Sequence, residues 1–306
     1  ALVEPHVPWV MGDASAYPPA SLKLPPNMAD TKLTREAFSR YLAEITYMDS
    51  QVGELLNALE DSGEAKNTLV LFSSEQGSQF PGNKWTNWDT GVHTALIARW
   101  PGVVPVGVRT DAMVQFADVL PTLLDVAEST EDYTGAFDGQ SFFDVLRGKA
   151  SQHRKYVYGV HNNVPEGPPY PVRTVSDGTY RYVRNLLHEN LYIEKHLMGT
   201  RGEGVLNNPY WQTWVWDSWE SPETYRLVQR YMNRPAEALY HTATDPYELQ
   251  NLVGTESAKA TLNTLSRELD RWLISQGDPG VEQDTPASHQ AAKRGEHRFR
   301  APRVGK

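Results

Sequence analysis

The chain has 306 residues, with hydrophobic residues at 40% and charged residues at 22%, a composition that builds a folded core and excludes a largely disordered protein. Its 29 Lys and Arg stand against 38 Asp and Glu, a formal charge of -9, so the bulk field repels a phosphate backbone and argues against nucleic acid as a partner. There is no Cys, which removes disulfides, thiolate metal sites and Cys nucleophiles from the options within these residues. No stretch reaches the roughly 18 to 20 apolar residues of a membrane span.

In chain order, residues 1–33 read as loop, because Pro5, Pro8, Pro18, Pro19, Pro25 and Pro26 interrupt any long helix. The chain opens on Ala1 with no initiator Met and no basic-then-apolar leader, and we expect the start of a longer protein to precede it. From Thr34, the apolar residues Phe38, Tyr41, Leu42, Ile45, Met48, Val52, Leu55, Leu56 and Leu59 recur every three or four positions, which predicts an amphipathic helix ending near Ser62-Gly63. The run 68–73 then predicts a buried parallel strand, and 94–100 a second one stopped by Pro101-Gly102. A Gly- and Trp-rich loop, 75–91, lies between them, and a short helix is expected over 116–127.

Near residue 150 the texture changes to alternating segments, 171–175 and 180–184, joined by Asp177-Gly178, a hairpin signal. An amphipathic helix over about 257–275 closes this part. The expected fold class is α/β: a catalytic-type domain over 1–150 with a sheet between helices, then a smaller α+β subdomain over 151–280 with an antiparallel sheet and a closing helix. Residues 281–306 read as a polar, extended or disordered tail.

Several residues offer chemistry. Glu75 and Gln76 follow the first strand, where open α/β sheets place ligands, and two oxygen donors suit a hard cation such as Ca²⁺; the plainer alternative is a solvated turn. Lys84, in the same Gly-rich loop, offers a point charge for an anionic oxygen, or else a solvent-facing lysine. His6, between two prolines, presents an imidazole as acid or anion ligand, or packs as a structural histidine. His161 precedes a Gly/Pro loop and offers a polar contact to a substrate. Trp211, Trp214, Trp216 and Trp219 offer faces for sugar rings, with packing as the alternative.

These residues alone stop short of a reaction type, but their order carries a resemblance. The blocks Glu4-Pro5-His6-Val7-Pro8, Tyr41 to Asp49, Asn67 to Gly77, Gly82-Asn83-Lys84, Gly91 to Gly102, Asp118 to Leu124, Asp138 to Ser141, Pro171-Val172-Arg173, Tyr180 to Asn185 and Asp245 to Leu252 resemble the later catalytic half of type I sulfatases. The segment around Gly159-Val160-His161 and Tyr170-Pro171-Val172-Arg173 most resembles relatives grouped with heparan N-sulfatase.

This resemblance covers about residues 1–280. It implies a sulfuric ester hydrolase of exported location, periplasmic or extracellular, acting on a sulfated carbohydrate. It also implies roles by position: His6 at the sulfate or leaving group, Glu75 and Gln76 as Ca²⁺ ligands, and Lys84 on the sulfate. His161 and Arg173 are taken as leaving-group contacts.

The family nucleophile, a formylglycine made from Cys or Ser in Cys/Ser-x-Pro-x-Arg, has no motif here, and Glu75-Gln76 replaces the usual shorter pair. We therefore expect the nucleophile and the remaining metal ligands to come from a missing N-terminal half, and the chain alone to be inactive. Two other readings stay open: a glycan-binding pseudo-sulfatase, or a phosphodiesterase or phosphatase of the same superfamily.

Overall fold

A computed structural model describes residues 2–131, 135–199 and 210–296. Among the described residues, 2–31 form no helix longer than a short 3₁₀ turn, as the prolines dictate. Helix α1 (Lys32–Asp61) starts where Thr31 Oγ1 accepts the Thr34 amide. Its first half packs through Phe38 and Tyr41 against Phe80, with ring centroids 6.1 and 5.8 Å away. The second half is more open than the periodicity predicts, with Leu55 63% exposed.

Strand β1 (Val70–Ser73), helix α2 (Asp89–Val92) and strand β2 (Leu96–Arg99) follow. Both strands stand where expected, but they pair with each other in antiparallel sense, Val70 opposite Arg99 and Ser73 opposite Leu96. Neither is fully buried, and Ile97 is 61% exposed. A continuous apolar run signals a strand without encoding its direction, which explains the correction.

Helices α3 (Val119–Val126) and α4 (Phe143–Leu146) complete this portion. They are anchored by the buried Asp118 carboxylate, which accepts from the Gln115 and Gln140 amides and from Arg154 Nε at 2.7 Å.

The texture change near 150 marks the start of a four-stranded antiparallel sheet ordered β3-β4-β5-β6: β3 (Val157–His161), β4 (Val172–Ser176), β5 (Tyr180–Asn185) and β6 (Glu237–His241). The β4–β5 hairpin turns at Asp177-Gly178 as its sequence predicts. The Asp177 carboxylate accepts the Thr179 and Tyr180 amides, and Gly178 adopts φ +88°, a region open to glycine.

Between β5 and β6 run α5 (Lys195–Met198), α6 (Tyr210–Asp217) and α7 (Pro222–Met232). Helix α8 (Lys259–Gln276) lies across the sheet, burying Leu265 and Leu269 against Val175, Tyr182 and Leu239. A larger core crosses from the first portion to the second, joining Val7, Trp9, Phe80 and Trp88 to Tyr192, Trp214 and Tyr231.

The expected extended tail is structured over part of its length. Helix α9 (Pro286–Lys293) forms behind a Thr285 cap. The buried Asp284 carboxylate accepts the amides of Asn163, Val164 and Tyr170. Three main-chain donors stapled by one carboxylate explain the order, and a polar composition alone hides it. Residues 297–306 of that tail lie outside the described residues. Among the described residues, no helix is long and apolar enough to cross a membrane.

Candidate functional site

The loop between β1 and β2 is folded tightly upon itself, and this fixes Lys84. The Lys84 amide donates to Ser78 O at 3.0 Å, and the Gly77 amide to Gly91 O at 3.0 Å. Thr90 Oγ1 donates to Gly82 O, Thr86 Oγ1 to Asn83 O, and Asn83 Nδ2 to Ser78 Oγ. A Cβ at Gly77 would fall 1.9 Å from Thr90 O, and one at Gly91 2.4 Å from Asn83 O, so both positions require glycine for close approach.

Half-buried at the surface of this loop, Lys84 places its ammonium 4.8 Å from the Trp85 ring centroid. Burial pushes the Lys84 pKa below the ordinary lysine value, while the charges of Glu75, Glu166 and Glu194 pull it back up.

Glu75 thus lies near enough for its charge to act on Lys84. Glu75 is exposed and Gln76 half-buried, and neither side chain hydrogen-bonds to another group among the described residues. Their oxygens are hard donors at the end of β1, a chemistry that fits Ca²⁺, although two residues supply only part of its usual six to eight oxygens.

The exposed His6 is tied to the same loop from behind. Its neighbours Val7 and Trp9 are buried, and Trp9 stacks on Phe80 at 5.1 Å while its indole Nε1 donates to Pro5 O.

Four residues that the sequence gives no motif for complete the surroundings. Trp85 stacks on His196 with ring centroids 5.3 Å apart and planes 11° from parallel. The His196 Nε2 pairs with the Glu166 carboxylate, and the Glu194 carboxylate lies 4.0 Å from the same nitrogen. Glu194 is fully buried and accepts the His196 and Leu197 amides at the start of α5; burial raises its pKa. The ligand atoms of Glu166, Glu194 and His196 all lie within 4.8 Å of one another. Because both Glu194 oxygens already serve the helix start, this group is explained as a cap with an ion pair. It has no sequence signature, since the segments meet only in the fold.

His161 and Arg173 sit on neighbouring strands, deeper in the protein. The His161 ring lies 6.2 Å from Tyr192, whose hydroxyl donates to Trp85 O at 2.7 Å, so it connects to the Lys84 loop through one side chain. Burial, aided by the charge of Arg234, pushes the His161 pKa down to about 4, and its buried Nε2 has no hydrogen-bond partner among the described residues.

Arg173 is fully buried. Its Nε pairs with Asp278 at 2.8 Å, Nη1 donates to Asn162 Oδ1 and Val172 O, and Nη2 to Gln283 Oε1. Every guanidinium nitrogen is spent within the protein, so its observed work is to hold the segment after α8 against β4. Of the tryptophans, Trp211 and Trp214 are core residues, whereas Trp216 and Trp219 are exposed.

The profile of the Sulfatase family matches residues 1–129, and that of the N-sulphoglucosamine sulphohydrolase C-terminal region matches residues 82–192. An ulvan-active sulfatase of Formosa agariphila is 28% identical over 267 residues, covering 83% of this chain and 41% of the relative. Human N-sulphoglucosamine sulphohydrolase is 24% identical over 287 residues, covering 87% of this chain and 53% of the relative.

Among solved structures, a protein in complex with its substrate D-glucosamine-2-N,6-O-disulfate superposes with TM-score 0.58 at 18% identity, covering 84% of this chain and 45% of the other. A structure from a Bacteroides thetaiotaomicron locus for the metabolism of multiple glycosaminoglycans gives TM-score 0.62 at 20% identity, covering 96% and 55%. These superpositions establish the shared fold, and the chain spans about half the length of the curated relatives it matches. Two family profiles, overlapping over residues 82–129, together run through residues 1–192, and with the shared fold they make this chain similar to the sulfatase family.

Proposed function

We propose that this chain supplies the sulfate-holding and leaving-group side of a carbohydrate sulfatase site. The observation that carries the reading is Lys84, half-buried on a loop held by its own backbone bonds, with the charge of Glu75 acting on it. A protonated ammonium in that place balances negative charge on sulfate oxygens as the ester S–O bond lengthens. Glu75 and Gln76 would hold Ca²⁺, and a formylglycine from polypeptide outside these 306 residues would supply the nucleophilic oxygen. His6 is our choice of acid for the leaving alcohol, since its exposed imidazole rides on the buried Val7 and Trp9.

The leaving group is read as a sugar because Glu166, beside the Trp85–His196 stack, gives a half-buried carboxylate that accepts hydroxyl protons. His161 would act only through Tyr192, and Arg173 drops out of substrate contact because its donors are spent. The resemblance to exported carbohydrate sulfatases supports placing the protein in the periplasm or beyond the cell.

The test is release of sulfate from sulfated saccharides, set against release of phosphate from matched phosphate esters, by the intact protein with Ca²⁺ or with zinc. Calcium-supported sulfate release is expected. Zinc-dependent phosphate release without sulfate release would favour the phosphatase reading, and glycan binding without either would favour a pseudo-enzyme.

A further inference from the structure

Helix α7 carries Arg226 and Arg230 one turn apart, and Arg234 continues the row just past the helix end. All three line one cavity of about 350 Å³, walled by Trp88, Val172, Val183 and Ala238, which Lys84, Glu75 and Glu166 do not border. That volume suits a single small ligand.

Among the described residues, no carboxylate pairs directly with the two inner guanidiniums. Arg234 is only 5% exposed, and its Nη2 is buried with no hydrogen-bond partner; Asn87 Nδ2, also at the cavity, is in the same condition. Arg230 donates to the carbonyl oxygens of Tyr247 and Glu248 and lies 3.6 Å over the Trp88 ring, and Arg234 lies 3.5 Å over Tyr192.

These carbonyls and aromatic faces hold the guanidiniums in place but contribute no formal negative charge. Among the described residues, neither Arg230 nor Arg234 forms an ion pair with a carboxylate. The nearby Glu248 carboxylate is committed to Arg181 Nε at 2.7 Å and to the Asp89 amide. Glu223 also lines the cavity, from its exposed rim beside Arg226. Two neighbouring like charges, one of them buried with an unused donor at Arg234 Nη2, are costly unless an anion joins them.

We propose that this cavity is an oxyanion-binding site, distinct from the Lys84 group, that takes a sulfate ion or the carboxylate of one sugar acid between Arg230 and Arg234, with Arg226 at its mouth. The apolar wall formed by Trp88, Val172 and Ala238 accommodates a ring carried by the anion, and Asn87 adds a neutral donor. Such a site binds its ligand whether or not Lys84 performs the chemistry proposed above.

Titration calorimetry on the intact protein carrying Lys84→Ala, which removes the competing cation, tests this with sodium sulfate, sodium glucuronate and glucose at constant ionic strength. Saturable binding of sulfate or glucuronate, and none of glucose, is expected. Tighter sulfate marks a free oxyanion as the ligand, and tighter glucuronate one borne on a sugar.

Adding Arg234→Gln should weaken binding at least tenfold. Should that variant fail to fold, Arg226→Glu at the exposed mouth should still weaken binding about tenfold. Absence of anion binding, binding of glucose equal to that of glucuronate, or unchanged affinity in the folded variants would overturn the assignment.

Discussion

Trp85 and His196, 111 residues apart in the chain, lie face to face at 5.3 Å, and through this contact the loop that bears Lys84 rests on the start of α5. The Tyr192 hydroxyl bonded to Trp85 O fixes the same joint from the backbone side. The lysine is therefore positioned by the second portion of the chain as well as by its own loop. Replacing Trp85 with Ala removes the stack and the cation-π contact, and steady-state kinetics should show KM for a sulfated saccharide raised by roughly 3- to 30-fold. An unchanged KM would show that the joint is not needed for Lys84 to hold its substrate.

The resemblance offers Arg173 as a leaving-group contact, yet its partner Asp278 lies 105 residues further on, and no local pattern encodes that meeting. Truncating Arg173 to Met leaves the buried Asp278 unpaired and should lower unfolding stability by about 3 to 5 kcal/mol in urea titrations. A stable variant with only its KM raised would restore the substrate role.

His161 makes stability depend on pH in a definite direction. In the unfolded chain the imidazole titrates near the ordinary 6.5, whereas burial holds the folded value at about 4. The unfolded state therefore takes up the proton first, so the contribution is complete above pH 6.5 and is lost as the pH falls towards 4. The loss amounts to at most about 3 kcal/mol. Urea midpoints measured at pH 7.5 and pH 4.5 should separate by less in His161→Asn than in the unaltered protein, and equal separations would contradict the assignment.

Calcium offers a test of the end of β1. If Glu75 and Gln76 hold the ion, Ca²⁺ at a hundred times its Kd should stabilise the intact protein by about 2.7 kcal/mol, visible as a raised melting temperature. Glu75→Ala with Gln76→Ala should abolish that rise while leaving the metal-free melting point within a few degrees, since neither side chain holds the fold together. A persistent rise would move the ion elsewhere.

Much of this architecture is legible in the sequence because it rests on local periodicity. The expected 257–275 helix is α8, Lys259–Gln276; α1 begins two residues before its predicted start, and the Asp177-Gly178 turn joins β4 to β5. The sense of the β1–β2 pairing is not legible, because an unbroken apolar run looks alike in either direction. The candidate site divides in the same way. Lys84, Glu75, Gln76 and His6 stand in recognisable blocks, whereas Trp85, Glu166, Glu194 and His196 come from three segments that only packing unites.

The central claim rests on Lys84, and the most direct measurement is sulfate release by the intact protein with Lys84 replaced by Ala, monitored together with its melting temperature. The account predicts a fall in kcat/KM of about a hundredfold or more, with the melting temperature kept to within a few degrees because the loop is held by its own backbone bonds. Sulfate release at an undiminished rate would contradict it.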